Sequence, residues 1–237
     1  METETKLEWE IKFEDYLSRI GKTQNHFRES LKLPPLRKTE RVVPLRYLKN
    51  IISITQLTKN LLFEILSQIK TLDGQRPFKN ASFKVIHVDP KDLKVGQKYV
   101  YTENWTELIR DFSEIFCVDY VFGSGLTSLG AYMAYGTVSE NENDCAIAFY
   151  IPPIVEQHSN GLVIMDGMHR NWIIKQVGVT ISVIKVENIS VPFPCSCQAW
   201  REVKDISLTQ KPKDINERYF DLRQNLFRDL KYLGIDG

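Results

Sequence analysis

The chain reads as a mixed α/β (α+β) protein. Two observations carry that reading. From residue 82 onward, strand-like and helix-like segments succeed one another in the order strand, helix, strand, strand, helix, strand. Before and after this stretch, apolar residues recur at the three- and four-residue spacing of amphipathic helices. With 43% hydrophobic and 26% charged residues over 237 positions, there is apolar material for one sizeable core.

The pattern predicts three regions: a helical N-terminal region at 1–80, an α/β domain at 81–190, and a helical tail at 191–237 packed on that domain. In the first region a helix is expected over 6–20, with Leu7, Ile11, Tyr16 and Ile20 apolar and Gly21 as its stop. A second covers 24–32 and ends before Pro34 and Pro35. The stretch 44–72 reads as one long helix or two, with Leu61, Leu62, Ile65 and Ile69 on one face. Turn residues in 73–82 mark the boundary.

Within the central domain, "SFKVIHV" (82–88) is a strand followed by a turn at "DPKDL". A helix is expected over 104–116, its apolar face made by Trp105, Leu108, Ile109, Phe112 and Ile115. "CAIAFYIPP" (145–153) is a strand stopped by Pro152. "GLVIMD" (161–166) is another, and the "SNG" before it is a hairpin turn. Residues 169–178 form a helix with Gly178 as its left-handed cap, and 179–189 alternate as a strand does. In the tail, Tyr219, Leu222, Leu226, Leu230 and Leu233 predict an amphipathic helix over 213–237.

The candidate chemistry lies at "MDGMHR", where a strand runs through a glycine turn into a helix. The first N–H groups of a helix lack internal partners and sit at the positive end of its dipole, so such a turn suits an anion. Gly167 allows a tight bend, Arg170 offers a bidentate grip on phosphate, and His169 offers a donor or a proton-transfer group. Asp166 is placed to cap the helix, or to bind ribose, a metal or a substrate hydroxyl. The structural alternative is a plain turn in which Asp166 caps and Arg170 pairs with an acidic neighbour from residues 101–160.

"VIMDGMHRNWIIKQVGVTISVIKVENI" resembles the signature half of the ParB/sulfiredoxin superfamily: strand, Asp-Gly-x-His-Arg turn, helix, glycine, strand. "FKVIHVDPKDL" resembles that family's opening strand and turn, and "AIAFYIPP" the strand before the motif; a stretch over 117–145 matches poorly. The resemblance implies nucleotide-phosphate binding by Asp166, Gly167, Met168, His169 and Arg170. It further implies a nucleotide ligand (ATP, ADP or CTP), Mg²⁺, and a catalytic acid from the region holding Glu103, Glu107 and Asp111. Met168 stands where sulfiredoxins carry their catalytic cysteine, which excludes sulfinic-acid reduction by a thiol. It also replaces the glutamate of the chromosome-partitioning members. The wording is closest to free-serine-kinase-like and predicted nuclease members. The expected function is nucleotide-dependent phosphotransfer or nucleotide hydrolysis, with His169 and one acid of Glu103, Glu107 and Asp111 as catalytic groups and an unknown small-molecule or protein acceptor. The alternatives are a non-catalytic nucleotide- or nucleic-acid-binding regulatory module, and a metal-dependent nuclease.

Charge is unevenly spread. Residues 22–59 hold nine basic and two acidic side chains, and residues 101–160 one basic and nine acidic. Arg37, Lys38 and Arg41 are therefore nucleic-acid candidates, the alternative being that the two blocks neutralise each other within the fold. The residues nominate no metal-ligand set: Cys195-Ser-Cys197 is a single C-x-C pair, read as structural, and His26, His87 and His158 share no ligand spacing. Four cysteines suit a reduced compartment. No apolar run approaches a membrane span, and the acidic first ten residues lack the apolar core of a secretory signal. A cytoplasmic protein with no membrane partner is expected.

Overall fold

The computed structural model describes residues 9–31, 41–106, 131–141 and 144–235. In chain order these form strand β1 (Ile11–Lys12), helices α1 (Phe13–Arg19) and α2 (Gln24–Leu31), strands β2 (Arg41–Val42) and β3 (Asn50–Gln56), and helix α3 (Lys59–Leu66). Strands β4 (Lys70–Thr71), β5 (Ser82–Val88), β6 (Tyr99–Tyr101), β7 (Tyr132–Thr137), β8 (Cys145–Tyr150), β9 (Ile154–His158) and β10 (Gly161–Asp166) follow. Then come helix α4 (Met168–Val177), strands β11 (Ile181–Glu187) and β12 (Lys204–Ile206), helix α5 (Ile215–Arg218) and strand β13 (Arg228–Asp229). The chain is of mixed α and β structure with sheets of both strand senses. It divides into two compact units, 1–69 with 130–151 and 229–237, and 70–129 with 152–228.

The first unit is built on a five-stranded sheet in the order β1-β2-β8-β7-β3. Its middle strands β7 and β8 are apolar on both faces and almost wholly buried, as fits strands covered on two sides. At Gly136 the β3 backbone comes so near that a Cβ would lie 2.1 Å from the Asn50 carbonyl oxygen, beside a bulge in the β3–β7 register. Tyr16, Phe13 and Phe27 pack as an aromatic cluster that includes Phe149 of β8.

This unit departs from the helical region expected over 1–80. The long helix of 44–72 is instead a 3-10 turn at Leu45–Tyr47, strand β3 and then α3. Ile51, Ile52, Ile54 and Thr55 are β-branched, stiff at χ1 and better accommodated on a pleated strand, and β7 supplies the pairing. The helical spacing of Leu61, Leu62 and Ile65 holds within α3, which Thr58 caps by accepting from the Leu61 amide.

The second unit carries a four-stranded sheet in the order β10-β9-β11-β5. Strands β9 and β10 form a hairpin, β11 lies parallel to β9, and β5 closes the sheet antiparallel to β11. Helix α4 is the crossover from β10 to β11. On one side Leu93, Val95, Val100, Val155, Ile164, Met168, Val183, Trp200 and Val203 form a core. Val163 turns the other way, against Phe193 and Cys195. The hairpin partner of β10 is therefore Ile154–His158, whereas 145–150, assigned from sequence to the central domain, belongs to the sheet of the first unit. Pro152 and Pro153 separate the two strands.

The tail does not form the helix expected over 213–237. Helix α5 has four residues and stops at the extended Tyr219. Past it, Asp221 has φ +48°, and the backbone bonds outward: Phe220 N–H to Gly96 O at 3.0 Å, Ser196 N–H to Phe220 O at 2.8 Å and Arg223 N–H to Pro194 O at 2.7 Å. Those contacts compete successfully with an i→i−4 ladder, and the leucine spacing serves packing rather than a helix. Residues 204–206 pair with β6; the chain from 191 to 228 falls in the second unit and 229–237 in the first.

Candidate anion site at the 166–170 turn

A register shift between Ile164 and Asp166 ends the β9–β10 hairpin and re-aims the last residues of β10. Asp166 is buried there. The chain then turns through Gly167 at φ +82°, a left-handed conformation that a side chain strains. A Cβ at this position would also lie 2.6 Å from the Pro153 Cβ and 3.0 Å from Arg170 Nη2. Helix α4 starts at the next residue with no side-chain cap. Its first internal bond runs from the Asn171 amide to Gly167 O at 3.0 Å.

Arg170 Nη2 donates to Asp166 Oδ2 at 3.0 Å, an i,i+4 pair with both side chains largely buried. Burial pushes the Asp166 carboxyl above its ordinary range, while the Arg170 charge and the Gly167 amide pull against that. Arg170 is thus partly neutralised by its own turn, with Asp166 as a partner where the structural alternative had an acid of the 101–160 block, and with no side-chain cap on the helix. The Met168 side chain is buried in the core of the second unit. Asn171, unforeseen from sequence, is fully buried: its Nδ2 donates to Gly167 O at 2.9 Å and its Oδ1 has no hydrogen-bond partner.

His169 Nε2 accepts from the Tyr101 amide at 3.1 Å, and the two rings lie tilted with centroids 5.9 Å apart. The neutral ring therefore carries its proton on Nδ1. Burial is the main cause that brings this histidine down to about 4, with the charges of Lys211 and Arg170 adding to it and Asp205 opposing. At neutral pH His169 is an uncharged acceptor fixed to β6.

Glu103 is drawn away from the base role expected for it. Its Oε1 accepts from Ser207 Oγ at 2.5 Å and its Oε2 from the Leu208 amide at 2.8 Å. Those bonds hold its carboxylate below the usual range, which makes it a poor base. Glu107 and Asp111 lie outside the described residues, as do Arg37 and Lys38. Lys211, which no sequence signal marked, stands 5.2 Å above the Tyr101 ring centroid.

The described residues contain no group of three His, Cys, Asp or Glu side chains able to hold a metal. Asp166 at the turn is paired with Arg170, and the described residues assemble no Mg²⁺ site there. A helix start without a side-chain cap and a close-approach glycine are features that suit an anion. Cys195 is buried and its thiol is pushed up to about 12 by that burial, the opposite of a reactive or metal-ready thiolate. His158 and His87 have structural partners, Glu156 at 2.8 Å and Ser182 at 3.1 Å.

Arg41 donates to Glu10 Oε2 at 2.8 Å and also pairs with Asp144, a member of the acidic 101–160 block. This nucleic-acid candidate is engaged by carboxylates within its own unit, as is Lys22 by Glu64. Among the described residues, no helix is long and apolar enough to cross a membrane. No protein-family model, curated protein or solved structure gives a significant match to the chain.

Proposed function

We propose that the chain binds a nucleotide through its phosphates at the 166–170 turn of a ParB/sulfiredoxin-like sheet. One observation carries this reading: α4 begins uncapped on the left-handed Gly167, where a side chain would collide with Pro153. A turn built so closely around a glycine leaves backbone donors for an anion. The succession of β10, glycine turn, α4 and β11 supports this reading, while residues 145–150, which the resemblance sets before the motif, pair in the sheet of the other unit. Phosphotransfer or nucleotide hydrolysis extends the reading, with Glu107 or Asp111 as the base. A second reading, a non-catalytic regulatory module, is favoured by the engagement of Glu103 with Ser207 and Leu208.

The test is calorimetric titration of the full chain with ADP, ATP and CTP, with and without Mg²⁺. Because Arg170→Ala alone strands a buried carboxylate, the informative variant removes both charges, Asp166→Asn with Arg170→Gln. Wild-type binding should weaken by at least about tenfold, the low end for losing a charge-assisted contact. Binding that survives this double change intact places the site elsewhere. Product release from the same nucleotides, measured separately, decides between the catalytic and non-catalytic readings.

A further inference from the structure

Asparagine occurs twelve times in the chain, and once, at Asn160, it is followed by glycine. Every other asparagine precedes a residue whose side chain crowds the next backbone nitrogen. The Asn-Gly pair sits at the tip of the β9–β10 hairpin, where His158 is opposite Gly161 and Ser159 and Asn160 make the turn. Both turn residues are exposed. Gly161 has φ +118°, and beyond its chain neighbours no atom lies within 4 Å of the place a Cβ would take. The space beside its backbone is therefore open. The Asn160 side chain is hydrogen-bonded to Cys197.

We propose that Asn160 is a site of spontaneous deamidation. The backbone nitrogen of Gly161 attacks Asn160 Cγ. The new C–N bond closes a succinimide ring, the Cγ–Nδ2 bond breaks, and ammonia leaves. Water then opens the ring at either carbonyl and gives aspartate or isoaspartate. The balance is one water consumed and one ammonia released, with no change of oxidation state. Glycine favours the step because its Cα carries nothing that blocks the attacking nitrogen. The exposed tip favours it because the backbone rearrangement there disturbs little packing. Conversion removes the amide that Cys197 meets and sets a carboxylate in its place. Isoaspartate also adds a methylene to the main chain inside a tight turn, and turn length fixes hairpin register. Register is consequential here, because Val163 and Ile164 of β10 pack in different clusters on the two faces of the sheet.

The experiment incubates the full chain at mildly alkaline pH, folded and in urea, and follows every asparagine by peptide mass spectrometry. Chromatography of the 160-containing peptide separates isoaspartate from aspartate. In the folded chain Asn160 should convert several-fold faster than any other asparagine, with isoaspartate among the products. Asn160→Gln should stay unconverted at this position over the same interval, because the longer side chain does not close the five-membered ring. Conversion of Asn160 in urea but not in the folded chain overturns the proposal, since the hairpin then protects the amide. Faster conversion of another asparagine in the folded chain overturns it as well. So does an Asn160 that stays intact in both conditions.

Discussion

Burial and two neighbouring cations take His169 from an unfolded value of 6.5 to about 4 in the fold. Above about pH 6.5 both states are neutral and the residue contributes no pH dependence. As pH falls below that value the unfolded chain binds a proton that the folded chain refuses, so stability declines until about pH 4. Between pH 7 and pH 5 the loss should be about 2 kcal/mol, from roughly 1.4 kcal/mol per pH unit. His169→Gln keeps an acceptor for the Tyr101 amide and removes the titration. Urea unfolding of both proteins at the two pH values checks this: the variant should lose about 2 kcal/mol less than the wild type over that interval. An equal loss in both would mean that the folded His169 takes up a proton as readily as the unfolded one. A bound phosphate would oppose Lys211 and Arg170 at this ring, so ligand should raise the histidine's affinity for a proton. The sequence offered His169 as a donor or proton-transfer group at the turn, but not its state in the fold. That state depends on the Tyr101 amide, 68 residues away, and no local pattern encodes it.

At the scale of the element, the segment from 191 to 228 is fastened by one buried ion pair. Glu156 on β9 and Arg228 are both almost fully buried. Arg228 Nε and Nη2 meet the two Glu156 oxygens at 2.9 Å each. Its remaining donors go to the carbonyls of Pro192 and Leu226 from Nη1 and of Val191 from Nη2. All five guanidinium N–H groups are thereby satisfied, the condition under which a buried charge is tolerable. His158 Nε2 joins at Glu156 Oε2. This polar staple explains how a segment nearly devoid of regular structure covers one face of the sheet, with Phe193 and Cys195 packed on Val163. Removing one partner leaves the other charge buried and unpaired, so Arg228→Met should cost about 3–5 kcal/mol in urea unfolding. Adding Glu156→Gln should recover a large part of that loss. A single-variant cost under about 1 kcal/mol would show that solvent reaches Glu156 and the staple does not hold. Leucine spacing misled the helix expectation here because packing against a sheet also rewards a leucine every three or four residues. The sequence gives no sign that backbone bonds to Gly96 and Pro194 will compete.

At the scale of the molecule, strand patterns at 82–88, 145–150, 161–166 and 181–187 were legible, as were the turn at Gly167 and the cap at Gly178. Their assignment to one contiguous domain was not, because periodicity reports the face a strand buries and not its partner. The chain crosses between units at 69–70, 129–130, 151–152 and 228–229. An excised fragment of residues 81–190 therefore tests the division directly. It keeps β7 and β8 but loses β2 and β3, which pair on either side of them, exposing strands that are apolar on both faces. It keeps Glu156 but loses Arg228, leaving a buried carboxylate without its cation. It loses Trp200 and Val203 from the core that holds Met168, and Phe193 and Cys195 from the far face of the sheet. Each loss alone is of the order of a few kcal/mol, and a domain's whole stability is about 5–15 kcal/mol. The fragment should be unfolded or aggregated, with collapsed amide dispersion in a two-dimensional NMR spectrum and no cooperative melt by circular dichroism. The full chain under the same buffer should give dispersed amides and a cooperative transition. A fragment with dispersed amides and its own sharp melt would show that 81–190 is an autonomous domain, and that the strands and staple outside it are dispensable.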